Sequence, residues 1–125
     1  MRKIIAMGLL VSLGLISLRC KKEDKPHKAA FYTSQGSISL FLLVDEAGRS
    51  KLPYLPMGAE DCNDGAALRQ SLTAGSHHFR VEDSLGNTYV EGTGTFTEDG
   101  LTLAVDTGVI NHFTVNTCSA IDFTY

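Results

Sequence analysis

The chain has 125 residues, 11 Lys and Arg against 14 Asp and Glu, a formal charge of −3 and three cysteines. That length suits one ordinary domain, the charge argues against nucleic-acid binding, and 43% hydrophobic content is too high for a disordered chain. An odd cysteine count leaves one thiol outside any set of disulfides. In chain order, the first feature is Arg2-Lys3 followed by Ile4–Leu18, a fifteen-residue run broken only by Gly8, Ser12, Gly14 and Ser17. A spanning helix needs about 20 apolar residues. A run this short predicts the apolar core of a secretory signal peptide, the alternative being an uncleaved anchor helix.

The run ends in Leu18-Arg19-Cys20, and Lys21-Lys22-Glu23-Asp24-Lys25-Pro26-His27-Lys28 follows. A cysteine directly after an apolar core, then a charged stretch, resembles a bacterial lipoprotein signal, with Arg19 standing where that family has a small residue. The resemblance implies a signal peptide over residues 1–19, diacylglycerol on the Cys20 thiol, and attachment to the outer membrane. Lys22-Glu23-Asp24 also resembles the acidic surface-export signal of Bacteroidota-type lipoproteins, so the cell surface is expected ahead of a periplasm-facing position. Residues 20–28 then read as the lipidated cysteine and a solvated spacer, because six charges and a proline offer nothing to bury. Residues 29–125 carry four basic against twelve acidic side chains, formally −8. That acidity disfavours contact of the domain with anionic headgroups or nucleic acid.

From Ala29 onward, runs of β-type residues alternate with turn residues. Ser37–Val44 reads as a strand covered on both faces. Asp45-Glu46-Ala47-Gly48-Arg49 reads as a turn, with Gly48 for a left-handed position, and Ser50–Leu55 as an edge strand, because Pro53 lacks a ladder donor. Residues 53–65, with two prolines and two glycines around Cys62, form the longest loop. Residues 65–74 fit either a helix Gly65–Ala74 capped by Asp64 or a strand Ala67–Leu72, with the strand preferred beside strand-like neighbours. His77, Phe79 and Val81 share one face of a strand whose hairpin partner is Thr88–Thr97. Leu101, Leu103 and Val105 recur at a period of two, and Val109–Thr117 and Ala120–Tyr125 close the series. Nine of the eleven threonines lie between Thr88 and Thr124, which favours strands over helices there.

Strands of this length and spacing imply an all-β, antiparallel sandwich of about seven to eight strands over residues 29–125. The segment Leu72-Thr73-Ala74-Gly75-Ser76…Phe79, followed by Gly92-Thr93-Gly94-Thr95-Phe96-Thr97, resembles surface-lipoprotein modules of the transthyretin-like or carboxypeptidase-regulatory-like type, and the general form is Ig-like. That resemblance implies a non-catalytic sandwich and transfers no binding residue. With Cys20 given to lipid, Cys62 and Cys118 form an even pair in an exported domain, where a disulfide commonly supplements a limited core. Two separately buried thiols are the alternative.

His77 and His78 are adjacent and point to opposite faces of a strand, so they do not share a metal ion. Asp61-Cys62-Asn63-Asp64-Gly65 has the flavour of a calcium loop but lacks the later bidentate glutamate, Leu72 standing at that place. Turn-forming side-chain bonds are the simpler reading. No nucleophile elbow or phosphate-cradling glycine loop is present. No catalytic residue, metal or cofactor is therefore expected. The sequence suggests a lipid-anchored binding or structural module, tethered to the membrane through Cys20, with an unidentified protein or glycan partner. The alternative is a small periplasmic inhibitor or accessory protein acting through the loop 53–65.

Overall fold

The hairpin read from His77 and Thr88 onward is the centre of the structure. The computed structural model describes residues 26–115 and 117–125, and all its named elements are strands. They are β1 His27–Tyr32, β2 Phe41–Val44, β3 Ser50–Lys51, β4 Leu68–Leu72, β5 Gly75–Glu82, β6 Thr88–Thr97, β7 Gly100–Thr107, β8 Val109–Val115 and β9 Cys118–Thr124. One sheet has the order β4-β1-β9-β8 and the other β3-β2-β5-β6-β7. The fold is an all-β sandwich, as the spacing of turns predicts. It has nine strands, and one pair, β1 with β9, is parallel.

The extra strand is β1, and it changes the expected start of the domain. The charged sequence around His27 and Lys28 reads as solvated spacer, yet they are the first two residues of this strand. His27 is 2% exposed and its ring lies 4.5 Å from that of Phe96. Its Nε2 lies 2.8 Å from Ser119 Oγ, so the buried polar atom has a partner. Residues 65–74 hold the strand β4 and no helix, because Leu68–Leu72 pairs antiparallel with β1. The strand expected over Ser37–Val44 shortens to β2, and β3 is a two-residue edge strand. Beyond it Pro53 gives its carbonyl to Thr33 N–H at 2.9 Å, which draws the chain toward the other sheet.

The turn after β2 also differs from expectation. The left-handed residues are Asp45 (φ 55°) and Glu46 (φ 60°), not Gly48. Val44 C=O accepts the Ala47 N–H at 3.0 Å, so these four residues form a type I′ turn, which needs positive φ at both central positions. Side-chain bonds described below hold both acidic residues there.

The two sheets meet through phenylalanines. Phe79 on β5 lies 5.5 Å from Phe31 on β1, 5.9 Å from Phe123 on β9 and 6.3 Å from Phe96 on β6. Its edge-on contacts are the favoured aromatic geometry. Gly94 makes room for this hub, since a Cβ there would lie 2.7 Å from Phe79 Cε2 and 3.2 Å from Leu101 Cδ1. Gly94 thus answers to core volume, whereas a Cβ at Gly92 would first meet the β7 backbone, 2.7 Å from the Ala104 carbonyl oxygen. Gly94→Ala is expected to destabilise the domain by about 1–3 kcal/mol through overpacking, read as a lower urea midpoint at unchanged slope.

Burial holds the His27 imidazole below its ordinary pKa of 6.5. The unfolded chain therefore takes up the proton more readily than the fold, and stability falls as pH drops below that value. Between about pH 7.5 and 5.5 the thermal midpoint should fall more steeply in the native protein than in His27→Gln. Parallel slopes would refute this role.

Candidate functional site

The outer face of β1 needs cover as well as its core face. Ala29 and Phe31 point into the sandwich, whereas Ala30 belongs to a second small cluster with Cys62 and Ala67, against which Leu55 and Cys118 pack. The loop between β3 and β4 supplies this cover. It is joined to β9 by the disulfide Cys62–Cys118, with Cα atoms 5.6 Å apart. The expected pairing of these two cysteines is therefore present. Cys20 and the signal segment 1–19 lie outside the described residues.

Asp61 and Asp64 shape the loop, and they do so as turn formers. Asp61 Oδ1 accepts the Asn63 N–H at 2.8 Å, and Asp64 accepts those of Ala66 at 2.9 Å and Glu60 at 3.0 Å. The Ala66 bond, then the Glu60 bond, hold the Asp64 carboxyl below its usual range, with a smaller contribution from the charge of Arg69. The side-chain oxygens thus serve the loop's own backbone, which is the simpler of the two sequence readings.

Where this loop meets the edge strand β4, a cleft of about 280 Å³ opens, lined by Lys28, Ala29, Cys62, Asn63, Arg69, Gln70 and Ser71. Lys28 pairs in register with Ser71 and Ala30 with Arg69. Paired residues project to the same side of a sheet, so Lys28 and Arg69 stand diagonally on one face, roughly 7–8 Å apart at the backbone. Arg69 Nη1 reaches the Asn63 carbonyl at 3.4 Å, a weak bond at the limit of good geometry. Neither cation forms an ion pair among the described residues.

The other charged group covers the outer face of the five-stranded sheet and is internally matched. Arg80 reaches Glu46 at 2.6 Å and Glu82 at 3.0 Å, while Arg49 reaches Glu82 at 3.2 Å and stacks over the Phe41 ring. His78 lies between Glu46 at 3.2 Å and Glu91 at 2.8 Å. His77 projects to the opposite face, as expected, with Nδ1 2.6 Å from Asp45 Oδ2 and Nε2 2.8 Å from the Thr73 carbonyl oxygen. Burial raises the Asp45 pKa, but the bonds from His77 and the His78 N–H outweigh it and hold the carboxyl below its ordinary value. The hydrogen bond from Arg80 does the same for Glu46. These contacts account for the strained turn at Asp45 and Glu46. With each charge facing its opposite, this group is structural, and the cleft is the candidate site.

Sequence reasoning missed both cleft cations. By sequence Lys28 belongs with the spacer charges, and Arg69 lies in the segment that fits either helix or strand. The available signal was scarcity: residues 29–125 contain only Arg49, Lys51, Arg69 and Arg80 as basic side chains. In comparisons with family models, curated proteins and solved structures, nothing matches this chain.

The bond Cys62–Cys118 closes a loop across 56 positions, for which chain entropy gives about 4 kcal/mol. Reduction, or Cys62→Ser with Cys118→Ser, should lower the unfolding free energy by about that amount. Amide exchange should rise first in the loop and the β4 edge. Unchanged exchange there would mean that the loop holds its place without the bond.

Proposed function

We propose that this chain is a lipid-anchored, non-catalytic binding module of a bacterial cell envelope, displayed on the outer surface. The observation that carries the reading is the disulfide between Cys62 and Cys118. Such a bond persists in oxidising compartments, which agrees with the signal-like segment Ile4–Leu18 and its lipoprotein-like cysteine. The stapled loop and its cleft are the contact surface, since binding residues concentrate on loops held by a rigid scaffold. The tether at Cys20 restricts the domain to the bilayer surface. Diacylation gives the durable attachment that a single acyl chain does not.

Two measurements on cells test the reading. Protein carrying native Cys20 should partition into the detergent phase, and Cys20→Ser should move to the aqueous phase. Protease added to intact cells should remove the domain. Detergent partitioning retained by Cys20→Ser would overturn the anchor. Protection from protease until the outer membrane is breached would overturn surface display.

A further inference from the structure

The cations of the domain divide sharply by their partners. Arg49 and Arg80 are neutralised by Glu46 and Glu82, and Lys51 stands in the other sheet, on β3. Lys28 and Arg69 are held side by side and neither forms an ion pair among the described residues, although Asp64, whose carboxylate serves the loop's own N–H groups, lies near enough to feel the charge of Arg69. Like charges on neighbouring strands repel, and an anion seated between them removes that repulsion. Asn63 borders the same cleft, and Ser71, paired with Lys28, adds a hydroxyl to its face. A guanidinium fork, a point ammonium and neutral donors together suit a tetrahedral oxyanion with several acceptors. A carboxylate could be satisfied by the arginine alone.

We propose that the Lys28–Arg69 cleft seats one phosphate group. The proposal rests on the anchored reading above for where that phosphate is met. Lys28 is eight residues from Cys20, a span of at most about 28 Å when fully extended, so the cleft lies within reach of the headgroups around the anchor. Lys21, Lys22 and Lys25 against Glu23 and Asp24 leave that stretch with a net charge of +1, a small addition to the attraction. The phosphate comes either from a headgroup of that bilayer or from a soluble phosphoryl compound, and both present the same oxygens.

The test uses isotope-labelled, envelope-purified protein, read by amide chemical shifts. Inorganic phosphate is titrated with the protein in an uncharged detergent, and separately the protein is placed in bilayer discs with and without phosphatidylglycerol. Shifts should concentrate at Lys28, Asn63, Arg69, Gln70 and Ser71, and Lys28→Gln with Arg69→Gln should weaken the response about tenfold. Saturation by phosphate alone identifies a soluble source. A response only with phosphatidylglycerol identifies the headgroup. No response in either arm, or a response unaltered in the double variant, overturns the proposal. Intact mass read alongside separates the two readings: phosphate binding without acyl mass on Cys20 would remove the anchor and leave the cleft, and acylated protein without a response would remove the cleft alone.

Discussion

Strand β1 must be covered on both faces, and the rest of the molecule is arranged around that requirement. Its core-facing side chains, Ala29 and Phe31, are closed over by β5 and β6 through Phe79 and Phe96. Its outward Ala30 has no sheet above it and depends on the loop that carries Cys62. Small side chains at 29 and 30 let both covers approach closely. A loop has little cohesion of its own, so a covalent tie to β9 replaces the packing that a third layer would provide. The cleft is the rim of this arrangement. It exists because the cover ends before it reaches the edge of β4.

The outer face of the five-stranded sheet solves a different problem. An acidic domain must place its few cations where they neutralise most, and Arg80 and Arg49 bridge Glu46 and Glu82 across neighbouring strands. The same contacts stabilise a turn whose two central residues are left-handed without being glycine. Left-handed backbone at such residues carries a conformational cost. Here Asp45 offsets it by binding the His77 ring and the His78 N–H, and Glu46 by its paired bonds to Arg80.

How far the sequence discloses this molecule depends on how local each cause is. The hairpin of β5 and β6 is legible because alternation and the Asp83-to-Asn87 turn are written in adjacent residues: Asp83 Oδ1 accepts the N–H groups of both Leu85 and Asn87. Strand β1 is not, because His27-Lys28-Ala29-Ala30 has neither β-branched residues nor alternation. Its strand character comes from lying between β4 and β9, two partners far away in the chain. The I′ turn escaped for the same reason, its anchors being 32 to 34 residues distant on β5. The even cysteine pair was readable from counting. The cleft was not, since it needs the register of Lys28 against Ser71.

Net charge and local charge lead to opposite expectations for an anion, and screening decides between them. A formal charge of −8 over residues 29–125 describes the field at long range. At physiological ionic strength the Debye length is about 8 Å, so carboxylates on the five-stranded sheet barely act on an anion at the cleft. What acts is the charge within roughly one such length. Four lysines at positions 21, 22, 25 and 28 stand against Glu23 and Asp24, and β1 and β4 set Arg69 beside the last lysine. Asp61 and Asp64 shape the loop that rims the cleft, so short-range charge there is mixed. What distinguishes this edge of the molecule is the register that sets Arg69 beside Lys28, and not a separation of cations from anions.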